Sequence, residues 1–310
     1  DRLVHQGARR TRADFALVQR EHRKALEGLV EEIVVGLGNI GAPMAKNLVN
    51  DAFDAWMYDV SEKALAELVA LGAHASTPAE IARNCPLIGI CVRDDKDVDS
   101  LLYGDEGMLA HAAKDTVIAI HSTITQAALT RWAKDGAARG VHVIDAPITR
   151  GNGGMEPRFV CFLVGGEPDI VARVRPLLDP SAENIIHAGP LGAGMALKLC
   201  NNLITNVEYL AVSEAWALAE RCGLKIEVLR ELGKANNVIN DRMYQFLSGR
   251  NSLAALGDEA MMRQHFGPFG KLAEKDLDAA LESARDHGIE LPGTTYARGV
   301  IDAVYMKKPY

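Results

Sequence analysis

The stretch VVGLGNIGAPMAKNL, Val34 to Leu48, sets glycines at positions 36, 38 and 41 between a β-branched run and a helical pattern. Val34 and Val35 read as the end of a short strand. Ala42, Met44, Ala45 and Leu48 then recur at helical spacing. Pro43 falls in the first helical turn, where its missing N–H costs nothing. In a strand–turn–helix of this kind Gly36 permits the tight turn and Gly38 lets the backbone approach a pyrophosphate, while Gly41 lets helix and strand pack closely. The helix N-terminus adds free N–H groups and partial positive charge, and Asn39 and Ile40, between the last two glycines, join them as phosphate contacts.

Three glycines alone are a weak signal, because glycine punctuates many ordinary turns. The segment AWMYDV, residues 55 to 60, supplies the second half: it reads as the next strand and carries Asp59, 23 residues after Gly36. A carboxylate there accepts both adenosine-ribose hydroxyls and repels a 2′-phosphate, which predicts NAD rather than NADP. Asp59 also suits a helix N-cap before SEKALAEL. A methyltransferase pairs the same two features, so both alternatives stand at this point.

The composition is that of an ordinary globular protein, with 48% apolar and 24% charged residues in 310. That length suits two domains. A net charge of −7 without an offsetting basic stripe argues against nucleic acid as a partner. No apolar run reaches membrane-spanning length and no secretory signal is evident, so no membrane partner is expected. Cys85, Cys91, Cys161, Cys200 and Cys222 lack CxxC or Cys/His metal spacing and predict no metal. They read as buried thiols of a reducing, cytoplasmic compartment. Residues 1–30, with seven Lys/Arg against four Asp/Glu, have no strand pattern. They read as an N-terminal extension, either a surface helix from about Asp14 to Leu29 or a frayed segment.

From Glu32 to about Gly189 strand-like runs (IVVG, AWMYDV, PLIGICV, TVIAI, VHVID, RFVCFLV) alternate with helical stretches such as SEKALAELVAL and TQAALTRWAKDGAARG. That alternation predicts an α/β fold, a Rossmann-type dinucleotide-binding domain over 31–189. Beyond it strand signals almost vanish, which predicts an all-helical C-terminal domain over 190–310. LGAGMALKLCNNLITNVEYLAVSEAWALAERCG supports one long helix with Met195, Leu199, Leu203 and Leu210 on one side and Leu197, Ile204, Ala211 and Leu218 on another. A helix apolar around so much of its circumference is expected to be buried, between two domains or two subunits.

Three stretches stand where chemistry is expected, just after strands or on the first helix of the second domain. HSTIT (121–125) offers the Ser122 and Thr123 hydroxyls to a carboxylate or an amide, or else caps the helix after it. DAPITRGNGG (145–154) places Thr149 and the backbone at Gly151 as an anion nest, with Arg150 as a bidentate clamp. The bland alternative is a surface loop with a solvated arginine. In GAGMALKLCNN (192–202), Lys198 and Asn202 are four apart and share a helical face. A lysine in such an apolar stretch is either desolvated, as an acid/base acting near neutral pH requires, or snorkels to water. Lys275 and Asp276, in AEKDLDAAL, read as a surface ion pair of little consequence.

Taken in order, these motifs resemble the β-hydroxyacid dehydrogenase family, whose members include 3-hydroxyisobutyrate dehydrogenase and tartronate semialdehyde reductase. GLGNIGAPMAKNL matches its opening fingerprint, Ser122-Thr123-Ile124 its serine-threonine-isoleucine motif and DAPITRG its substrate loop. GPLGAGMALKLCNN matches its glycine-rich catalytic segment, and Lys275-Asp276-Leu277 its lysine-aspartate-leucine motif. The resemblance spans about Ile33 to Tyr305 and leaves four motifs that a methyltransferase does not explain.

The resemblance implies that Lys198 is the catalytic acid/base and Asn202 orients the substrate. Ser122 lines the pocket with Thr123 on the cofactor side, while Thr149 and Gly151 hold the substrate carboxylate. Lys275 approaches the cofactor. Where the family has leucine-proline after the fourth strand this chain has Val92 and Arg93, which leaves Val92 as the cofactor contact. Arg150, in place of a glycine, points to a second anionic group on the substrate. The implied activity is NAD-dependent hydride transfer from a small 3-hydroxy acid resembling 3-hydroxyisobutyrate, by a homodimer or homotetramer. Two alternatives are an imine reductase on the same frame and a non-catalytic dinucleotide-binding module. Both tend to lack the lysine, and Lys198 and Asn202 are present here.

Overall fold

The computed structural model describes residues 30–49, 53–149 and 160–310. Residues 1–29 of the N-terminal extension, and Arg150 and Gly151 of the substrate loop, lie outside the described residues. The chain divides into two compact units, Asp1–Gly194 and Met195–Tyr310.

The first unit is built on a sheet whose strands are β1 (Val30–Val35), β2 (Phe53–Tyr58), β3 (His74–Ala75), β4 (Leu87–Ile90), β5 (Val117–Ile120), β6 (His142–Asp145), β7 (Ile148–Thr149), β8 (Val160–Gly165) and β9 (Ala182–Gly189). Their order is β3-β2-β1-β4-β5-β6-β8-β7, with β9 beside β8. Strands β3 to β6 along this path run parallel, β8 is antiparallel to β6 and β7, and β9 is parallel to β8. Strands β4 and β5 are buried along their whole length, as apolar runs covered on both faces must be.

Helix starts follow local chemistry. Ser61 caps Glu62–Val69, and Thr77 and Glu80 form a reciprocal capping box on Pro78–Asn84. Asp94 caps Asp95–Leu102, and Thr125 caps Gln126–Ala137. Met44, Leu48, Leu68, Phe162, Val174 and Leu178 are among the side chains of the unit's main core.

The second unit continues the helix Ala193–Arg221 and adds Ile226–Ala235, Asp241–Ala255, Glu259–Asp286 and Pro292–Tyr305. The chain is thus α/β and then helical, as its pattern predicts. Tyr209, Leu210, Trp216, Leu247, Leu277 and Ile301 form the core of this unit. The helix Asp241–Ala255 was not evident in the sequence, because Ser248, Gly249, Asn251 and Ser252 favour other structure. Glu259–Asp286 runs unbroken through Pro268 and Gly270. At Gly270 a Cβ would lie 2.7 Å from Asp302 Oδ1, so glycine is what lets this helix approach the last one.

The long helix is covered on one side only within the single chain, and the expectation for the cysteines is corrected. Met195 and Leu210 of the long helix are buried, but Leu197, Ile204, Ala211 and Leu218 are exposed, so the second apolar face is open in the single chain. Cys85 and Cys161 are buried, whereas Cys200 and Cys222 are exposed, because apolar neighbours along a helix do not fix which side a residue faces. Among the described residues no helix is long and apolar enough to cross a membrane.

Arg250 is the most unusual member of the helical core, with a relative exposure of 2%. Its Nη1 donates to Val304 O at 2.6 Å and Ser213 Oγ at 2.9 Å, and its Nε and Nη2 donate to Asn251 Oδ1 at 3.0 and 2.7 Å. Those acceptors are neutral, and burial pulls the guanidinium below its ordinary pKa. Removing it leaves a cavity and orphaned acceptors together. Arg250→Ala is therefore expected to destabilise the protein by on the order of 3 kcal/mol, read as a lower urea midpoint. An unchanged midpoint would show that these bonds contribute nothing net.

Candidate active site

The carboxyl ends of the parallel strands lie in register. Val35 pairs with Tyr58 on one side and Ile90 on the other, Ile90 with Ile120, and Ile120 with Asp145. Backbone bonds extend the ladder by one residue: Gly36 N to Tyr58 O, Cys91 N to Val35 O, His121 N to Ile90 O and Ala146 N to Ile120 O. The strand order reverses between β1 and β4, and in open α/β sheets ligands bind in the crevice at such a switch point. Gly36, Val92, Ser122 and Ala146 are thereby brought to one edge.

The glycines of the turn do different work. Gly36 has φ +93, and a Cβ there would stand 2.3 Å from Cys91 O. A Cβ on Gly41 would stand 1.8 Å from Gly36 O. On Gly38 it would meet nothing within 4 Å, so this glycine keeps open space. The following helix, Gly41–Leu48, has no side-chain cap at Ile40. An uncapped helix start beneath a glycine that faces open space leaves backbone N–H groups that could receive an anion such as a pyrophosphate, the role expected of Gly38, Asn39, Ile40 and Gly41.

Asp59 does not cap the next helix; Ser61 does. One Asp59 oxygen accepts the Leu37 N–H at 2.5 Å and the other accepts the Ser61 N–H at 2.6 Å. The carboxylate thus ties the end of β2 to the glycine turn. Ser122 is buried, and its hydroxyl accepts from Val92 N at 2.9 Å and donates to Val92 O at 2.8 Å. That exchange clamps the loop after β5 to the loop after β4, and it occupies the proton that the sequence assigned to a ligand. Thr123 is half-buried and caps nothing, since Thr125 caps the helix. Thr149 is half-buried on β7, opposite Cys161.

Two residues at this edge were missed in the sequence. Asp145 is fully buried, and its Oδ1 accepts the Gly192 N–H at 2.7 Å. A Cβ on Gly165 would lie 2.3 Å from Asp145 Oδ1, and one on Gly194 would lie 2.9 Å from Oδ2. Gly165 at the end of β8 and Gly194 of GPLGAG therefore make room for a carboxylate that anchors the start of the long helix. His121, also buried, has its Nδ1 2.9 Å from Ala146 O, while its Nε2 has no partner. Burial lowers its pKa to about 4, so the ring is neutral, Nδ1 donates, and Nε2 presents a bare lone pair.

In the second unit Lys198 is half-buried and Asn202 is buried. Asn202 Nδ2 donates to Asp276 Oδ2 at 2.8 Å. Asp276 is 8% exposed, which corrects its reading as a surface ion-pair member; Lys275 beside it is exposed. Burial raises the Asp276 pKa, against the charges of Lys198 and Lys275 and the Asn202 hydrogen bond, which lower it.

Residues 33–189 match the family described as the NAD binding domain of 6-phosphogluconate dehydrogenase. Residues 192–308 match the family described as the NAD-binding domain of NADP-dependent 3-hydroxyisobutyrate dehydrogenase. The chain is 32% identical to the NAD-dependent L-serine dehydrogenase of Pseudomonas aeruginosa over 83% of its length and 86% of that protein. It is 30% identical to the 2-(hydroxymethyl)glutarate dehydrogenase of Eubacterium barkeri over 86% and 87%. The structure of Mycobacterium tuberculosis 3-hydroxyisobutyrate dehydrogenase superposes with a TM-score of 0.76 at 24% identity, covering 90% of this chain and 99% of that one. Fold and matches together define an NAD(P)-dependent oxidoreductase acting on hydroxy acids. The chain belongs to the β-hydroxyacid dehydrogenase family.

Two outcomes are expected from this geometry. Gly38→Ala leaves the thermal midpoint in place but weakens NADH binding at least about tenfold by fluorescence titration, whereas Gly41→Ala destabilises the fold by about 3 kcal/mol or more. Equal effects on both quantities in both variants would refute the division of labour. His121 titrates near 6.5 unfolded and about 4 folded, so its contribution to stability is intact above pH 6.5 and is lost as pH falls towards 4. The loss is on the order of 3 kcal/mol, and His121→Leu should flatten the fall in urea midpoint between about pH 7 and about pH 4.5. A slope identical to the native one would mean that this ring does not titrate on unfolding.

Proposed function

We propose that this protein oxidises a small 3-hydroxy acid, of the 3-hydroxyisobutyrate type, with NAD, and that Lys198 moves the proton. The observation that carries the reading is the Lys198–Asn202 face, with Asn202 held by a buried carboxylate, in a chain whose family match spans both units. Bound at the glycine turn, NAD supplies the acceptor for the hydride of the carbinol carbon. Lys198 Nζ takes the hydroxyl proton in oxidation and returns it in reduction. Asn202 orients the reacting oxygen. Thr149 and the backbone at Gly151 receive the substrate carboxylate, as the sequence motif implies.

Asp59 supports NAD over NADP, because its charge at the end of β2 disfavours a 2′-phosphate. The next residue, Val60, is 89% exposed and offers no compensating cation. Val92, Thr123 and Lys275 complete the cofactor contacts in this reading. Arg150 supports a substrate with a second anionic group, and the Eubacterium barkeri relative bears the name of a dicarboxylate enzyme. The open Leu197, Ile204 and Leu218 face supports a homodimer or homotetramer.

The test is NADH or NADPH formation across mono- and dicarboxylic 3-hydroxy acids, with Lys198→Ala and Arg150→Ala in parallel. Turnover with NAD is expected to fall at least about a thousandfold in Lys198→Ala. Arg150→Ala is expected to raise KM for the dicarboxylates at least about tenfold while sparing the monocarboxylates. A preference for NADP, or a lysine variant that keeps its rate, would overturn the corresponding assignment. Turnover of cyclic imines alone would shift the reading to an imine reductase, and NAD binding without any turnover to a binding module.

A further inference from the structure

The buried carboxylate beside the proposed acid/base has no assigned part in the chemistry. Asp276 lies on the helix Glu259–Asp286, is 8% exposed, and accepts from Asn202 Nδ2 at 2.8 Å. A carboxylate can only accept, so it fixes which end of the Asn202 carboxamide faces it: the NH2 end. Asn202 is four residues from Lys198, so the group that orients the amide stands against the face that carries the lysine. The backbone carbonyl of Asn202 accepts from Asn206 Nδ2 at 2.9 Å, and the Tyr305 hydroxyl donates to Asn206 Oδ1 at 3.2 Å. Asn202 is therefore held at its carboxamide NH2 by Asp276 and at its backbone carbonyl by Asn206, and its Oδ1 accepts from Asn201 Nδ2 at 3.3 Å.

We propose that Asp276 is the positioning residue of this site: it holds the Asn202 carboxamide and serves as counter-charge to Lys198, setting the pH range over which that lysine exchanges its proton. The inference rests on the reading of Lys198 as acid/base. Electrostatic attraction is mutual, so the lysine charge that favours the Asp276 carboxylate is itself favoured by that carboxylate. The charges that act on Asp276 are Lys198 from the long helix and Lys275 from its own. Tyr305, on the last helix, is held near pKa 12 by burial and by the Asp276 charge, and remains a neutral phenol. Burying a carboxylate works against stability as pH rises past its raised pKa, and a residue kept under that penalty suits function better than packing.

The experiment compares Asp276→Asn, which keeps a hydrogen-bond acceptor but drops the charge, with Asp276→Ala, which drops both. In the intact chain, the fraction of Lys198 acylated by acetic anhydride is followed against pH by mass spectrometry. Both variants are expected to lower the midpoint of Lys198 deprotonation by at least about one pH unit, a tenfold change in proton affinity. The pH profile of kcat/KM for hydroxy-acid oxidation should move to lower pH by the same amount. At each variant's own optimum, Asp276→Asn should recover at least about tenfold of the kcat that Asp276→Ala loses, since only the former can hold Asn202. A Lys198 midpoint that matches the native one in Asp276→Asn overturns the proposal. Failure of the native chain to turn over any hydroxy acid would overturn the proposed reaction instead, while the labelling still decides the part played by Asp276. Should Asp276→Ala not fold, the Asn variant, nearly the same in shape, carries the labelling test alone.

Discussion

Two places where backbone meets backbone govern the first unit: Gly36 against the Cys91 carbonyl, and Gly41 against the Gly36 carbonyl. Neither admits a Cβ, so strand β1, the turn and the helix after it are locked to the end of β4 by the absence of side chains. From that lock the rest of the edge follows. Asp59 fastens β2 to the turn through Leu37 N–H, and Ser122 fastens the loop after β5 to Val92. A site assembled from short strand ends needs such fastening, because each loop alone has freedom that substrate binding would have to remove.

Buried charge is the second organising constraint. Asp145, Arg250 and Asp276 are each removed from water, and each is met by hydrogen bonds: from the Gly192 N–H, to Asn251, Ser213 and Val304, and from Asn202. Where a charge is buried, geometry is forced, since only particular orientations of the neighbours satisfy it. Asp145 and Arg250 use this to hold elements in place. Asp276 applies it beside a lysine, where orientation and proton affinity are set together.

The fold was legible in the sequence because its signals are local. Glycine spacing, β-branched runs and helical periodicity are each read within a dozen residues, and the α/β-then-helical order follows from them. Gln126–Ala137 and Pro292–Tyr305 were visible for the same reason. The fastening was not legible. Ser122 reads as a free hydroxyl until Val92 is brought beside it from 30 residues away, and Asp276 reads as a solvated charge until helix packing buries it against Asn202, 74 residues earlier. His121 sat inside a quoted motif, yet nothing in HSTIT says that its ring lies beneath the Ala146 carbonyl. Exposure around the long helix also escaped, since periodicity tells which residues share a face but not what covers that face.

The five thiols divide along the same line as the chain. Cys85, Cys91 and Cys161 belong to the first unit; two are buried, and burial pushes the Cys91 thiol up to about 12. Cys200 and Cys222 belong to the second and face solvent. An alkylating reagent applied to the native protein therefore marks the helical unit first, because Cys85 and Cys161 lack access and the Cys91 thiol is held protonated. The sheet's cysteines become reactive when the sheet opens. The molecule thus carries its own chemical clock for domain-resolved unfolding, in which the order of modification reports which unit loses its structure first.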